Sequence, residues 1–144
     1  MIRKDALENL IGKEFTSIAI TQDQSFIHLI RKDGLHVYLR ASGDCCTSSY
    51  FVEDVLNPDY LIGTPWIAIE AKLITHEEDN DEGVQELWGY SIKTAKGICD
   101  IEMRSSHNGF YGGMLEYEDN NDEHWMRRKG NCFKDNPLKI LARE

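Results

Sequence analysis

The sequence runs to 144 residues, 41% hydrophobic and 28% charged, with a formal net charge of -9. This length and composition fit a single domain with a packed core and exclude a disordered or fibrous chain. The negative excess repels nucleic-acid phosphates and anionic lipid, and no apolar run reaches the roughly 20 residues of a membrane span, so neither partner is expected.

The opening Met1 to Glu8 is charged where a secretion signal needs an uninterrupted apolar stretch, which points to a cytoplasmic protein. Lys4 to Leu10 suits an opening helical turn or two. Strands are expected at about 14–20, 25–32 and 35–41, where β-branched and aromatic side chains are dense. The last two join at Asp33-Gly34, a pair suited to a tight hairpin. Tyr50 to Leu56 reads as a short helical connector stopped before Pro58. A second set of strands follows at about 65–75, 85–94 and 97–104, the last two joined at Lys96-Gly97. Between the first two of these, the polar stretch Thr75 to Gly83 reads as an exposed loop. A further strand is expected near 110–118, with Gly112-Gly113 marking a bulge or close approach. Finally, Leu138 to Arg143 follows Asn136-Pro137 in a pattern that suits a helix start.

The chain repeats itself. Leu10-Ile11-Gly12, Phe15 and Ile18 recur as Leu61-Ile62-Gly63, Trp66 and Ile69 at a constant offset of 51. Asp33-Gly34 and the strand after it recur as Lys96-Gly97 and its strand, the offset having grown by twelve. The fold class expected is mainly β, an α+β chain rich in sheet. Two pseudo-symmetric three-stranded antiparallel repeats would form a sandwich or half-barrel, with short terminal helices, because neither unit alone can bury its apolar face. Residues 1–144 then form one domain: repeat one at about 8–56, repeat two at about 60–118 and a C-terminal extension at about 119–144.

Each half ends its third strand at an arginine and enters a polar loop, Arg40 to Tyr50 in one and Arg104 to Gly113 in the other. Functional groups favour loops held by rigid sheets. The ligand-binding candidates are therefore Arg40, Asp44, Cys45, Cys46, Ser48, Arg104, His107, Asn108 and Tyr111. The bland alternative is that Asp, Ser and Asn bond their own backbone in turns and that the arginines form surface ion pairs. Cys46 with His107 has the composition of a thiolate and base, but free cysteines are more often buried thiols. His28 and His36 read as packed or surface side chains within strands.

Cys45, Cys46, Cys99, Cys132, His107 and His124 show no paired zinc spacing, and Asp79, Asp81 and Gly83 miss calcium-loop spacing by one place. Phosphate-loop, serine-hydrolase and zinc-protease signatures are absent, so no cofactor, metal or catalytic residue is assigned. Charge, by contrast, is concentrated: Glu77, Glu78, Asp79, Asp81 and Glu82 form a cluster that suits a protein partner with a basic surface.

Three segments, Gly43-Asp44-Cys45-Cys46, Leu61-Ile62-Gly63 and Asn108-Gly109-Phe110-Tyr111-Gly112-Gly113, together resemble an uncharacterised domain family encoded mainly by bacteriophages and some bacteria. The resemblance covers about residues 8–118; it implies a phage-associated origin, hence the host cytoplasm, and brings no catalytic residues with it. The leading expectation is a non-enzymatic accessory protein that binds a host or defence protein through its acidic surface. A small-ligand or hydrolytic pocket between the duplicated loops and a structural or assembly module are the alternatives.

Overall fold

The first three strands form a meander because each is closed by a turn that its residues dictate. The computed structural model describes residues 7–42, 48–79, 83–107, 114–118 and 133–144. Strands β1 (Phe15–Thr21), β2 (Phe26–Arg31) and β3 (His36–Ser42) pair in order, and β5 (Trp66–Asp79), β6 (Gly83–Thr94) and β7 (Gly97–His107) repeat the arrangement. Three further strands, β4 (Ser48–Phe51), β8 (Met114–Glu118) and β9 (Leu138–Arg143), lie at sheet edges, and Pro58–Leu61 makes one 3-10 turn between β4 and β5.

The two halves trade their fourth strands. One sheet runs β8-β3-β2-β1-β9 and the other β4-β7-β6-β5. Thus β4, which follows the first meander, pairs with β7 of the second, while β8, which follows the second, pairs with β3 of the first. The expected duplication is present in the topology, and the two antiparallel sheets form a sandwich with no closed barrel.

The halves also meet through equivalent atoms. The Gly12 N–H donates to the Trp66 carbonyl at 2.8 Å and the Gly63 N–H to the Phe15 carbonyl at 2.9 Å. Both glycines have positive φ, 84° and 80°, so each turns the chain in the left-handed region and aims its N–H at the other half. Between the sheets lies one core that includes Phe15, Ile18, Ile20, Leu29, Leu39, Phe51, Trp66, Ile69, Tyr90, Ile92, Ile101 and Met103, all buried. Each such side chain removed from water contributes about 1.5–3 kcal/mol, which is what holds two polar-faced sheets together.

Three local expectations are corrected. Leu138–Arg143 is a strand, not a helix, because Pro137 delivers it to the free edge of β1, where it pairs from Thr21↔Leu138 to Ser17↔Arg143. Tyr50 to Leu56 is not a helical connector: Tyr50 and Phe51 end strand Ser48–Phe51 and no helix follows over 52–56; Phe51 donates its N–H to the Gln24 carbonyl and accepts from Gln24 Nε2, both at 2.8 Å. The polar insert is not a loop over its full length. The β5–β6 ladder continues through His76↔Glu86 and Glu78↔Val84 to Asp79↔Gly83. Residues 66–94 therefore do the work of residues 15–31 with twelve more positions (29 against 17), which accounts for the growth in repeat offset. The short opening turn is present at Leu7–Leu10, where both leucines are buried.

Candidate functional site

Alternation along β7 decides where Arg104 points. Cys99, Ile101, Met103 and Ser105 are buried toward the core, so Arg104 stands on the outer face, beside its cross-strand partners Leu87 and Tyr50. Around it lies a cleft of about 130 Å³ lined by Tyr50, Thr75, Glu77, Gln85, Glu86, Arg104, Ser105 and Ser106. A guanidinium, a phenol, hydroxyls, an amide and carboxylates are thus gathered on one sheet surface. The sequence placed Arg104 and Glu77 in different candidate sites; the extended β5–β6 hairpin brings them into one.

Arg40 lies elsewhere. It stands outward between buried Leu39 and Ala41 on the other sheet, 5.9 Å above the Phe26 ring. The outer faces of a sandwich look in opposite directions, so the two arginines of the duplicated motif do not converge on one ligand. Ser42 pairs with Met114 and Ser48 with Ser106, so the connections β3-to-β4 and β7-to-β8 leave and arrive at neighbouring strand ends. Asp44, Cys45, Cys46, Asn108 and Tyr111 lie outside the described residues. Ser48 and His107 are placed by register alone, opposite Ser106 and Val84.

The acidic arm is defined along its strands. Glu77 and Glu78 are exposed on β5, where consecutive side chains take opposite faces. His76 sits between carboxylates, with Nε2 3.1 Å from Glu78 and Nδ1 3.3 Å from Glu86. Hydrogen bonds to Glu78 and then Glu86 hold this imidazole above its ordinary value. Asp79 is placed by register opposite Gly83, and Asp81 and Glu82 lie outside the described residues.

A family model described as a domain of unknown function, DUF7448, matches residues 8–117. The chain belongs to DUF7448. No curated protein and no solved structure matches it. The DUF7448 match spans both halves, with their exchanged strands, and stops before β9.

This DUF7448 chain also carries a side-chain ladder that sequence reading missed. On the outer face of the five-stranded sheet, His28 stacks on His36 (5.0 Å between centroids) and on Tyr38 (4.6 Å), and Phe133 packs against Tyr38 and Phe26. His28 Nε2 and His36 Nδ1 are 2.8 Å apart, so one ring donates and the other accepts. Burial, with the neighbouring His36, pushes the His28 imidazole down to about 4; burial also lowers His36. The missed signal was register: a tight turn at Asp33-Gly34 puts positions 28 and 36 on one face as diagonal neighbours.

Cys99 is a buried thiol pushed up to about 12, first by burial and then by Asp100 and Asp59, which leaves it protonated and unreactive. Among the described residues no group of three His, Cys, Asp or Glu side chains could hold a metal ion. Among them, too, no helix is long and apolar enough to cross a membrane.

Proposed function

We propose that this DUF7448 chain is a non-enzymatic, phage-associated accessory protein that works in the host cytoplasm. It binds a host or defence protein by setting the acidic arm of β5 and β6 against a basic surface. The observation that carries this reading is the exposure of Glu77 and Glu78 on a paired strand rather than on a loop. A hydrogen-bonded ladder holds the carboxylates at fixed spacing, so their field is directed and little entropy is lost on contact.

Capture of host proteins by the full-length chain, with identification by mass spectrometry, tests it. A specific partner should be captured at low ionic strength, released at high ionic strength and lost from the Glu77→Lys/Glu78→Lys variant. Capture that ignores both salt and the charge reversal sinks the reading.

The Arg104 cleft favours a second reading, a small-ligand site for an anionic or polar group. Inorganic phosphate and simple carboxylates should then raise the unfolding temperature of the native chain but not of Arg104→Gln. Equal shifts in both proteins remove it.

A further inference from the structure

β1 and β5 are equivalent strands of the duplicated sandwich, yet they are treated differently. β1 has its outer edge covered by β9, an antiparallel strand of six residues that lies beyond the family match. β5, the counterpart of β1 at an offset of 51, ends its own sheet with no strand beside it among the described residues. Edge strands are normally protected by shortness, proline, bulges or charged side chains. β5 runs for 14 residues with no proline or glycine. Its register slips only between Trp66 and Ala68 and between Leu73 and Thr75, leaving Ala68 to Leu73 as an even stretch of the same length as β9.

The flanking chemistry says what fits there. Core-side positions along this stretch are Ile69, Ala71 and Leu73, the last 40% exposed, with Ile67 and Ile74 also open at 52% and 42%. Solvent-side positions include Glu70 and Lys72, and the acidic arm follows with Glu77 and Glu78. One lysine against four acidic residues makes β5 net negative, which favours a basic segment over a second copy of β5. On β1, the covering strand brings Lys139 and Arg143 among four apolar side chains, and Leu141 and Ala142 reach the core.

We propose that the outer edge of β5 over Ala68 to Leu73, unpaired among the described residues, takes up an extended segment of the protein partner, added antiparallel as β9 is added to β1. The segment sets apolar side chains beside Ile69, Ala71 and Leu73 and basic side chains toward Glu70 and the acidic arm. Main-chain hydrogen bonds supply affinity and the side-chain pattern supplies choice, as in other strand-addition complexes. This inference rests on the protein-binding reading above and gives its mode.

The test uses isotope-labelled full-length chain and, as probe, a synthetic peptide with the sequence of Pro137 to Glu144, which is basic, apolar and already accepted by the equivalent edge. Saturating peptide should slow amide exchange about tenfold within Ala68 to Leu73. The effect should weaken with salt. It should vanish for a peptide carrying glutamate in place of both basic residues and in the Glu70→Lys/Leu73→Lys chain, whose replaced side chains are exposed. No added protection on β5 overturns the proposal, as does protection confined to Ser17–Thr21, or dimerisation through β5 without peptide. If the charge reversal at Glu77 and Glu78 abolishes partner capture while Glu70→Lys/Leu73→Lys leaves it intact, the edge is excluded and the protein-binding reading stands.

Discussion

Phe15 and Trp66 hold equivalent places in the two halves, and their rings meet with centroids 4.8 Å apart and planes inclined by 47°. The carbonyl of each also accepts a glycine N–H from the opposite half, and Trp66 Nε1 donates to the Leu61 carbonyl at 2.9 Å. The pseudo-twofold is therefore held by one aromatic contact and two reciprocal hydrogen bonds at its centre.

Because the two rings touch, their contributions to stability should not be independent. Phe15→Leu and Trp66→Leu should each destabilise by about 1–3 kcal/mol, and the double mutant should lose about 1 kcal/mol less than their sum. A urea-denaturation cycle reads the coupling, and strict additivity contradicts a contact at the centre.

Tyr90 buries its hydroxyl in the core with no hydrogen-bond partner among the described residues, and burial drives its ionisation far above the ordinary range. Removing the orphaned group while keeping the ring should relieve a desolvation penalty. Tyr90→Phe is expected to raise stability by about 1 kcal/mol, seen as a higher melting temperature. A loss of stability would reveal that the hydroxyl is bonded.

His28 has a folded-state value near 4 against an ordinary 6.5, so the unfolded chain takes up a proton before the folded one does. Its stabilising contribution is whole above about pH 6.5 and is lost as pH falls toward 4, amounting to about 3 kcal/mol. Lowered His36 adds loss in the same direction. Chemical denaturation across that window should show the decline, and His28→Phe should flatten it.

The two hairpin glycines offer an internal control. A Cβ on Gly97, at φ 143°, meets the Tyr60 ring at 2.7 Å, whereas one on Gly34, at φ 90°, meets nothing within 4 Å. Gly34→Ala should cost about 1 kcal/mol through backbone strain alone, and Gly97→Ala clearly more, because the added Cβ meets the Tyr60 ring while the Tyr60 backbone is held by the Thr94 Oγ1 hydrogen bond to its carbonyl. Equal melting temperatures for the two variants contradict the close contact.

What the sequence disclosed was local. Asp33-Gly34, Lys96-Gly97 and the runs beside them revealed both meanders, and the Phe15/Trp66 repeat revealed their kinship. What it hid depended on distant partners. Leu138–Arg143 has a helical start signal in Pro137 but becomes a strand because β1 offers an edge. Glu77 and Glu78 look like loop residues, yet Gln85 and Val84 stand opposite and carry them as strand. For the candidate site, the sequence marked Arg104 and Glu77 but could not join them, since their meeting depends on the length of the β5–β6 hairpin.

The traded strands set a constraint on synthesis. The first meander completes its sheet with β8, through contacts such as Tyr38↔Glu118, and with β9, through Ser17↔Arg143. As the chain leaves the ribosome, the first meander must wait, with apolar surface open, until residues 114–118 and 138–143 have emerged. Closure over such separations belongs to the slow class, milliseconds to seconds. During that interval chaperones have their opening, and truncation is most damaging.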